Sequence, residues 1–145
     1  MFRHILLPTD GSQLSEAAIE SGVKFAKSIN AKITGFYAMP KYHLLTYRAD
    51  MLAGSKQEFE KDSKAHADRF LEFIAKAATA AGVPCETALA TSDHPYEAII
   101  TMAQEKGCDL IMMASHGRRG VQGMLLGSET HKVLTHSKIP VLVLR

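Results

Sequence analysis

Cysteine is scarce in this chain, and the two present, Cys85 and Cys108, form neither a CxxC pair nor a metal-ligand spacing. Free buried thiols are the expectation, and they fit a reducing cytoplasm. Charge of one sign is also lacking. Seventeen Lys and Arg against fifteen Asp and Glu leave a net charge of +2, and the basic residues are dispersed. That excludes the basic footprint of a nucleic-acid binder. No apolar run approaches the roughly 20 residues that a membrane helix needs. The opening MFRHILLPTDGS holds only a short strand-like apolar core, which reads as no secretory signal. A cytoplasmic protein is expected. Repeats, linkers and low-complexity segments are missing as well, so residues 1–145 read as one domain.

What is present is an alternation of short apolar runs with segments of helical period. Residues 3–8 read as a buried strand closed by Pro8-Thr9-Asp10-Gly11. A first helix follows, with Leu14, Ala17, Ala18, Ser21, Gly22 and Phe25 on one small-residue face suited to packing on a sheet. Lys32 to Ala38 is a second strand, and Pro40 to Ser55 a loop holding Tyr42, His43 and Tyr47. A long helix is expected from about Lys56 to Ala81, facing inward through Phe59, His66, Phe70, Ile74 and Ala77, and stopped by Gly82-Val83-Pro84. Cys85 to Ala90 is less apolar, as an edge strand should be. Asp93 with Pro95 opens a third helix whose face is Tyr96, Ile99, Ile100 and Ala103. The chain ends with a strand Asp109–Ala114, a helix Glu129–His136 and a strand Val141–Leu144. Five strands alternating with four helices predict an α/β fold, a doubly wound five-stranded parallel sheet with helices on both faces. Such sheets bind ligands beyond the carboxyl ends of their strands, where strand order reverses. If strands one and four are neighbours, Pro8–Ser12 and Ala114–Ser128 face one cleft.

The segment DLIMMASHGRRGVQGMLLGS carries the chemistry. An apolar strand runs into a loop with Gly117, Gly120, Gly123 and Gly127, and Ser128 opens the final helix. Glycines let a backbone approach a ligand, and helix-start N–H groups favour anions. The loop has no GxxxxGK[ST] pattern and no lysine, and it lacks GxGxxG. What stands there is A-x2-G-x9-G-S, with Gly120 and Gly123 inside the spacer. Arg118 and Arg119 are candidates to neutralise phosphates, with Arg118 favoured. Asp10 is the best acidic candidate, for a ribose or adenine edge or a water-held Mg²⁺; capping of the first helix by Asp10 or Ser12 is the plain alternative. Met112 reads as core. His116 has no carboxylate or nucleophile placed by the sequence to orient it as a base, and the other histidines show no zinc spacing.

Together with ILLPTDGS at the start and PVLVLR at the end, this loop resembles the universal stress protein family along the whole chain, in element order and length. The family's ATP-binding members carry G-x2-G-x9-G-[ST]. The resemblance implies a Rossmann-like fold and an adenine nucleotide as ligand, ATP or AMP/ADP, with Mg²⁺ or Mn²⁺ as an accompanying ion. It implies phosphate contacts at Gly117, Gly127 and Ser128, strand-end contacts at Met113 and Ala114, and an adenosine end surrounded by Pro8, Thr9, Asp10 and Ala38. Ser115, His116 and Arg118 lie within the same turn. Two departures stand out. Ala114 replaces the family's first glycine, at little cost if its φ is negative and about 1 kcal/mol or more if positive. Glu129, in the first turn of the last helix, complements that helix's dipole or repels a triphosphate.

Val141-Leu142-Val143-Leu144 is apolar on both faces and is expected on a sheet edge, where pairing with a second copy would cover it. The resemblance implies the same homodimer, together with a protein partner that the sequence does not identify. The functional expectation is a regulatory nucleotide-binding protein. Slow ATP hydrolysis, or self-phosphorylation at Ser115 or Ser128, is the enzymatic alternative. Fast turnover is disfavoured, since general base, Walker lysine and acidic metal pair are all missing. A nucleotide-free interaction module is the third reading.

Overall fold

The computed structural model describes residues 1–42, 52–118, 120, 123 and 125–145, with 52–55 as backbone only. The elements run β1 (His4–Thr9), α1 (Gln13–Ile29), β2 (Lys32–Met39), α2 (Leu52–Ala81), β3 (Cys85–Thr91), α3 (Pro95–Glu105), β4 (Leu110–Ala114), α4 (Ser128–His136) and β5 (Val141–Leu144). The strands form one sheet in the order β3-β2-β1-β4-β5, every pair parallel. Ile5 of β1 is aligned with Ile33 of β2 on one side and Leu110 of β4 on the other. Strand order reverses between β1 and β4, so the neighbours that the cleft requires are in place. β3 and β5 are the two edges, as their composition predicts.

Alternation along the central strands divides the core. Ile5, Leu7, Ile33, Leu110 and Met112 meet α1 and α2 on one face, while Leu6, Phe36, Ile111 and Met113 meet α3 and α4 on the other. Close approach is obtained with glycine. A Cβ on Gly22 would stand 2.7 Å from Leu7 Cδ2, and one on Gly35 would stand 2.8 Å from Ile74 Cγ2. Of the expected small-residue face of α1, Ala18 and Gly22 do seat that helix on the sheet.

The inward faces differ in detail from the sequence expectation. On α1 the buried residues are Ser15, Ala18, Ile19, Gly22, Val23 and Ala26, while Ala17 and Ser21 are exposed. On α2 the buried stripe is Ser63, Ala67, Ile74 and Ala78, with His66 exposed. Ala18, Gly22 and Ile74 are inward as expected, while several other inward positions, Ser15, Ala26, Ser63, Ala67 and Ala78, are small residues that an apolar-period reading passes over. α2 also begins at Leu52, inside the expected loop; His43 and Tyr47 lie outside the described residues. Asp93 does not cap α3: His94 holds the cap position without a side-chain bond, and Asp93 Oδ1 accepts from Lys41 N–H at 3.2 Å.

At the amino ends of the strands, away from the cleft, His4 is buried at 4% exposure. Its Nε2 lies 2.7 Å from Thr34 Oγ1, whose hydroxyl donates to Glu86 Oε1 at 3.2 Å. Lys106 Nζ holds the other Glu86 oxygen at 3.0 Å. Burial, reinforced by the nearby Lys32 charge, lowers the His4 pKa below its ordinary value. Cys108 is buried and Cys85 half-buried. Desolvation pushes the Cys108 thiol up to about 11. Among the described residues no helix is long and apolar enough to cross a membrane.

Candidate functional site

A cavity of about 470 Å³ opens at the carboxyl ends of the strands. Its floor is the strand ends themselves: Pro8 and Thr9 from β1, Ala38 from β2, Met113 and Ala114 from β4. Asp10 comes from the β1–α1 turn, and His116, Gly117, Arg118 and Gly127 from the glycine loop. Ser128 and Glu129 supply the start of α4. The residues implied by the resemblance therefore converge on one cavity, with one exception. Ser115 is buried at 2% exposure and does not line it. The reason is local: its N–H is held by Leu144 O at 2.7 Å and its side chain turns back onto His116.

The β1–α1 turn is rigidly wired. Thr9 Oγ1 accepts from Gly11 N–H at 3.1 Å and from Ser15 Oγ at 2.9 Å. Ser12, not Asp10, caps α1, accepting from Ser15 N–H at 3.2 Å. Asp10 is left to reach across the cleft. Its Oδ1 accepts from Ser12 N–H at 2.9 Å and its Oδ2 from Arg118 N–H at 2.8 Å, tying the β1 end to the glycine loop.

The loop is closed on itself. Gly127 N–H donates to Ser115 O at 2.7 Å, joining its two ends, and Gly120 N–H donates to Gly117 O at 3.1 Å. A Cβ on Gly127 would lie 3.2 Å from His116 Cα, and one on Gly120 would lie 3.0 Å from His116 Cβ. Gly120, left to the spacer by the sequence pattern, is thus a lining residue as well. Ser115 Oγ lies 3.0 Å from His116 Nδ1, an orienting partner that no sequence spacing revealed, and His116 Nε2 is buried without a hydrogen-bond partner. Arg119 lies outside the described residues.

Ala114 keeps a negative φ, since Asn30 alone among the described non-glycine residues has a positive one. Its methyl is therefore unstrained. Its carbonyl accepts from Thr130 Oγ1 at 2.9 Å, which docks α4 on the end of β4. α4 begins at the cavity wall with Gly127 at its cap position and no side-chain cap bond, so its first-turn amides remain open to an anion. Glu129 stands in the first turn of α4, where a carboxylate complements that helix's dipole, and it serves α3 as well. Its Oε2 accepts from Tyr96 N–H at 2.9 Å, while Lys132 lies 3.4 Å from Oε1.

Two walls were not assigned to the site by the sequence. Ser92, Asp93 and Pro95 close the cavity from the β3–α3 turn. Tyr37 joins from β2; its ring meets Phe70 of α2 edge-on at 5.2 Å, and the Arg118 guanidinium lies 5.2 Å over the same Phe70 ring. Burial raises the Tyr37 pKa above its ordinary value. Among the described residues no group of three His, Cys, Asp or Glu converges to hold a metal.

The switch point between β1 and β4 of this doubly wound α/β sheet thus brings together a self-closed glycine loop and an uncapped helix start. A family model described as the universal stress protein family matches residues 1–145, and the chain belongs to that family. Universal stress protein YxiE of Bacillus subtilis is 33% identical to it over 149 residues, covering the whole of both chains. MJ0577 of Methanocaldococcus jannaschii is 30% identical over 162 residues, covering all of this chain and 96% of its own length. The solved structure of MJ0577 superposes with a TM-score of 0.80 over 99% of this chain and 96% of that one, at 26% identity. A universal stress protein solved in complex with cAMP superposes with a TM-score of 0.71, at 25% identity, over 99% and 97% of the two chains.

Proposed function

We propose that this chain binds an adenine nucleotide in the cavity between the β1 and β4 ends and acts as a regulatory stress-response protein. The observation that carries this is the uncapped start of α4 at the cavity wall, beside a loop folded on its own backbone. Phosphate would be received by the amides of Ser128 and Glu129 and by the loop at Gly117 and Gly127, with Arg118 supplying positive charge. The adenosine end would lie against Pro8, Thr9, Asp10 and Ala38. A family member solved with cAMP supports a nucleotide as the ligand class. ATP, ADP and AMP are the candidates, a triphosphate bringing Mg²⁺ or Mn²⁺ with it.

The assembly belongs to the same reading. β5 is an edge strand with Leu142 exposed, and a second copy pairing there would cover Val141–Leu144 as a two-fold homodimer. Ligand occupancy would bias the segments Pro40–Ser55 and Gly117–Gly127 and present that state to a protein partner in the cytoplasm. Native mass spectrometry and calorimetry on protein purified without added nucleotide test the reading. Co-purifying nucleotide, or binding heat on adding AMP, ADP or ATP, is expected. Neither, at millimolar ligand, overturns it.

Self-phosphorylation is disfavoured at Ser115, whose burial outside the cavity lining keeps it from a bound phosphate.

A further inference from the structure

A ring outside the cavity touches three of the segments that build it. Phe70 of α2 does not line the cavity, yet its ring abuts the β1–α1 turn so closely that a Cβ on Gly11 would run into it. It meets the ring of Tyr37, a wall residue from β2, edge-on at 5.2 Å. The guanidinium of Arg118, from the glycine loop, lies 5.2 Å from its centroid. His66, one turn earlier on α2, stacks on it at 6.0 Å with 14° between the planes. The helix that carries Phe70 is unevenly anchored. Ala67, Ile74 and Ala78 are buried, whereas among residues 56–62 Phe59 alone is half-buried and the others are exposed. Helical turns that bury so little are the first to open. Phe70 therefore stands between the anchored part of α2 and its weakly held amino-terminal turns.

We infer that Phe70 is a positioning residue for Arg118, holding its guanidinium off the cavity until a ligand phosphate takes it, and that this exchange loosens the amino-terminal turns of α2. This rests on the nucleotide reading of the cavity. Arg118 both lines the cavity and is exposed, so its side chain is free to swing between the ring and the ligand. The ring offers it a cation–π contact at a solvent-exposed site, where such contacts are weak. A phosphate offers paired, charge-assisted hydrogen bonds, which are stronger. An occupied cleft therefore draws the guanidinium away, and α2 loses its tie to the glycine loop. Gly11 and Tyr37 stay fixed by the β1–α1 turn and the sheet, so what yields is the amino side of α2. Adenosine, which has no phosphate, gives Arg118 nothing to move to.

The test is hydrogen exchange across residues 56–70 in wild type and Phe70→Leu, free and with AMP or adenosine, alongside calorimetry and the Arg118 side-chain Hδ signals. In wild type, saturating AMP should speed exchange in 56–62 by about threefold, the scale of an exposed cation–π contact. It should also move the Arg118 Hδ signals out of the Phe70 ring current, and adenosine should do neither. In Phe70→Leu, exchange should already be fast without ligand and AMP should add nothing to it. AMP affinity should rise there by about twofold to threefold, since no ring contact is given up. The AMP–adenosine comparison needs no variant, so it stands even if Phe70→Leu does not fold. Bound AMP with unchanged exchange, Arg118 signals that AMP leaves in place, the same response to adenosine, or an AMP response kept in Phe70→Leu overturns the inference while nucleotide binding stands. No binding heat with millimolar AMP overturns the nucleotide reading, and this inference with it.

Discussion

The Oδ2 oxygen of Asp10 stands where a Cβ on Gly117 would have to go. A motif glycine that reads as a concession to a ligand is, in this chain, equally a concession to a carboxylate 107 positions earlier, and the loop and the β1 end are locked through it.

Gly117→Ala is therefore expected to expel the Asp10 side chain and break its bond to Arg118. Overpacking of this kind costs about 1–3 kcal/mol. A fall in thermal midpoint accompanied by loss of protection at the Arg118 amide, measured by hydrogen exchange, is the expected pair of results. Full stability with an unchanged amide would show that the loop has slack to absorb the methyl.

Glu129→Gln addresses a different contact. The carboxylate bonds Tyr96 N–H at the start of α3, so loss of its charge should destabilise the fold by about 0.5–1.5 kcal/mol. Because Tyr96 N–H and Lys132 already engage it, the relative affinities for AMP and ATP should move little. Denaturant melts combined with the two titrations check both expectations.

Ala114→Gly restores the family's first glycine. With a negative φ at this position the methyl carries no strain, so the substitution gains nothing in the backbone and costs about 0.5–1 kcal/mol in a strand. Nucleotide affinity should change by less than about threefold. A tenfold gain would mean that the methyl blocks the ligand by contact.

Acid should weaken the fold through His4. Its folded pKa lies below the ordinary value, with burial the largest cause, so the unfolded chain binds the proton more readily. The contribution of neutral His4 is complete above about pH 6.5 and declines as pH falls through the range below it. The slope is at most about 1.4 kcal/mol per pH unit for one proton. Thermal midpoints should drop between pH 7.5 and 5.5 in wild type and less in His4→Gln. Equal drops would place the titrating group elsewhere.

The strand–helix alternation and the β1/β4 switch point were legible because apolar runs and Gly-Pro stops are local signals. So was the glycine loop, whose spacing is long and specific. The inward faces of α1 and α2 were legible only in part: Ala18, Gly22 and Ile74 are inward as expected, Ile19 and Val23 were passed over, and the small inward residues Ser15, Ala26, Ser63, Ala67 and Ala78 carry little hydrophobic contrast. The β3–α3 wall of the cavity, with Ser92 and Pro95, has no motif of its own and is brought in only by strand order. Glu129 was legible as a helix-start carboxylate, yet it also bonds the N–H of Tyr96, 33 residues earlier at the start of α3, a pairing visible only in three dimensions. Ser115 was misplaced because a sequence cannot tell which side of a turn a side chain takes.

The most direct test of the whole account is an amide chemical-shift titration of labelled protein with AMP. Shifts centred on Thr9–Asp10, Ala38, Met113–Arg118 and Gly127–Thr130, saturating with one site per chain, are predicted. No shifts at millimolar AMP, or shifts centred on the amino ends of the strands around His4 and Glu86, would contradict it.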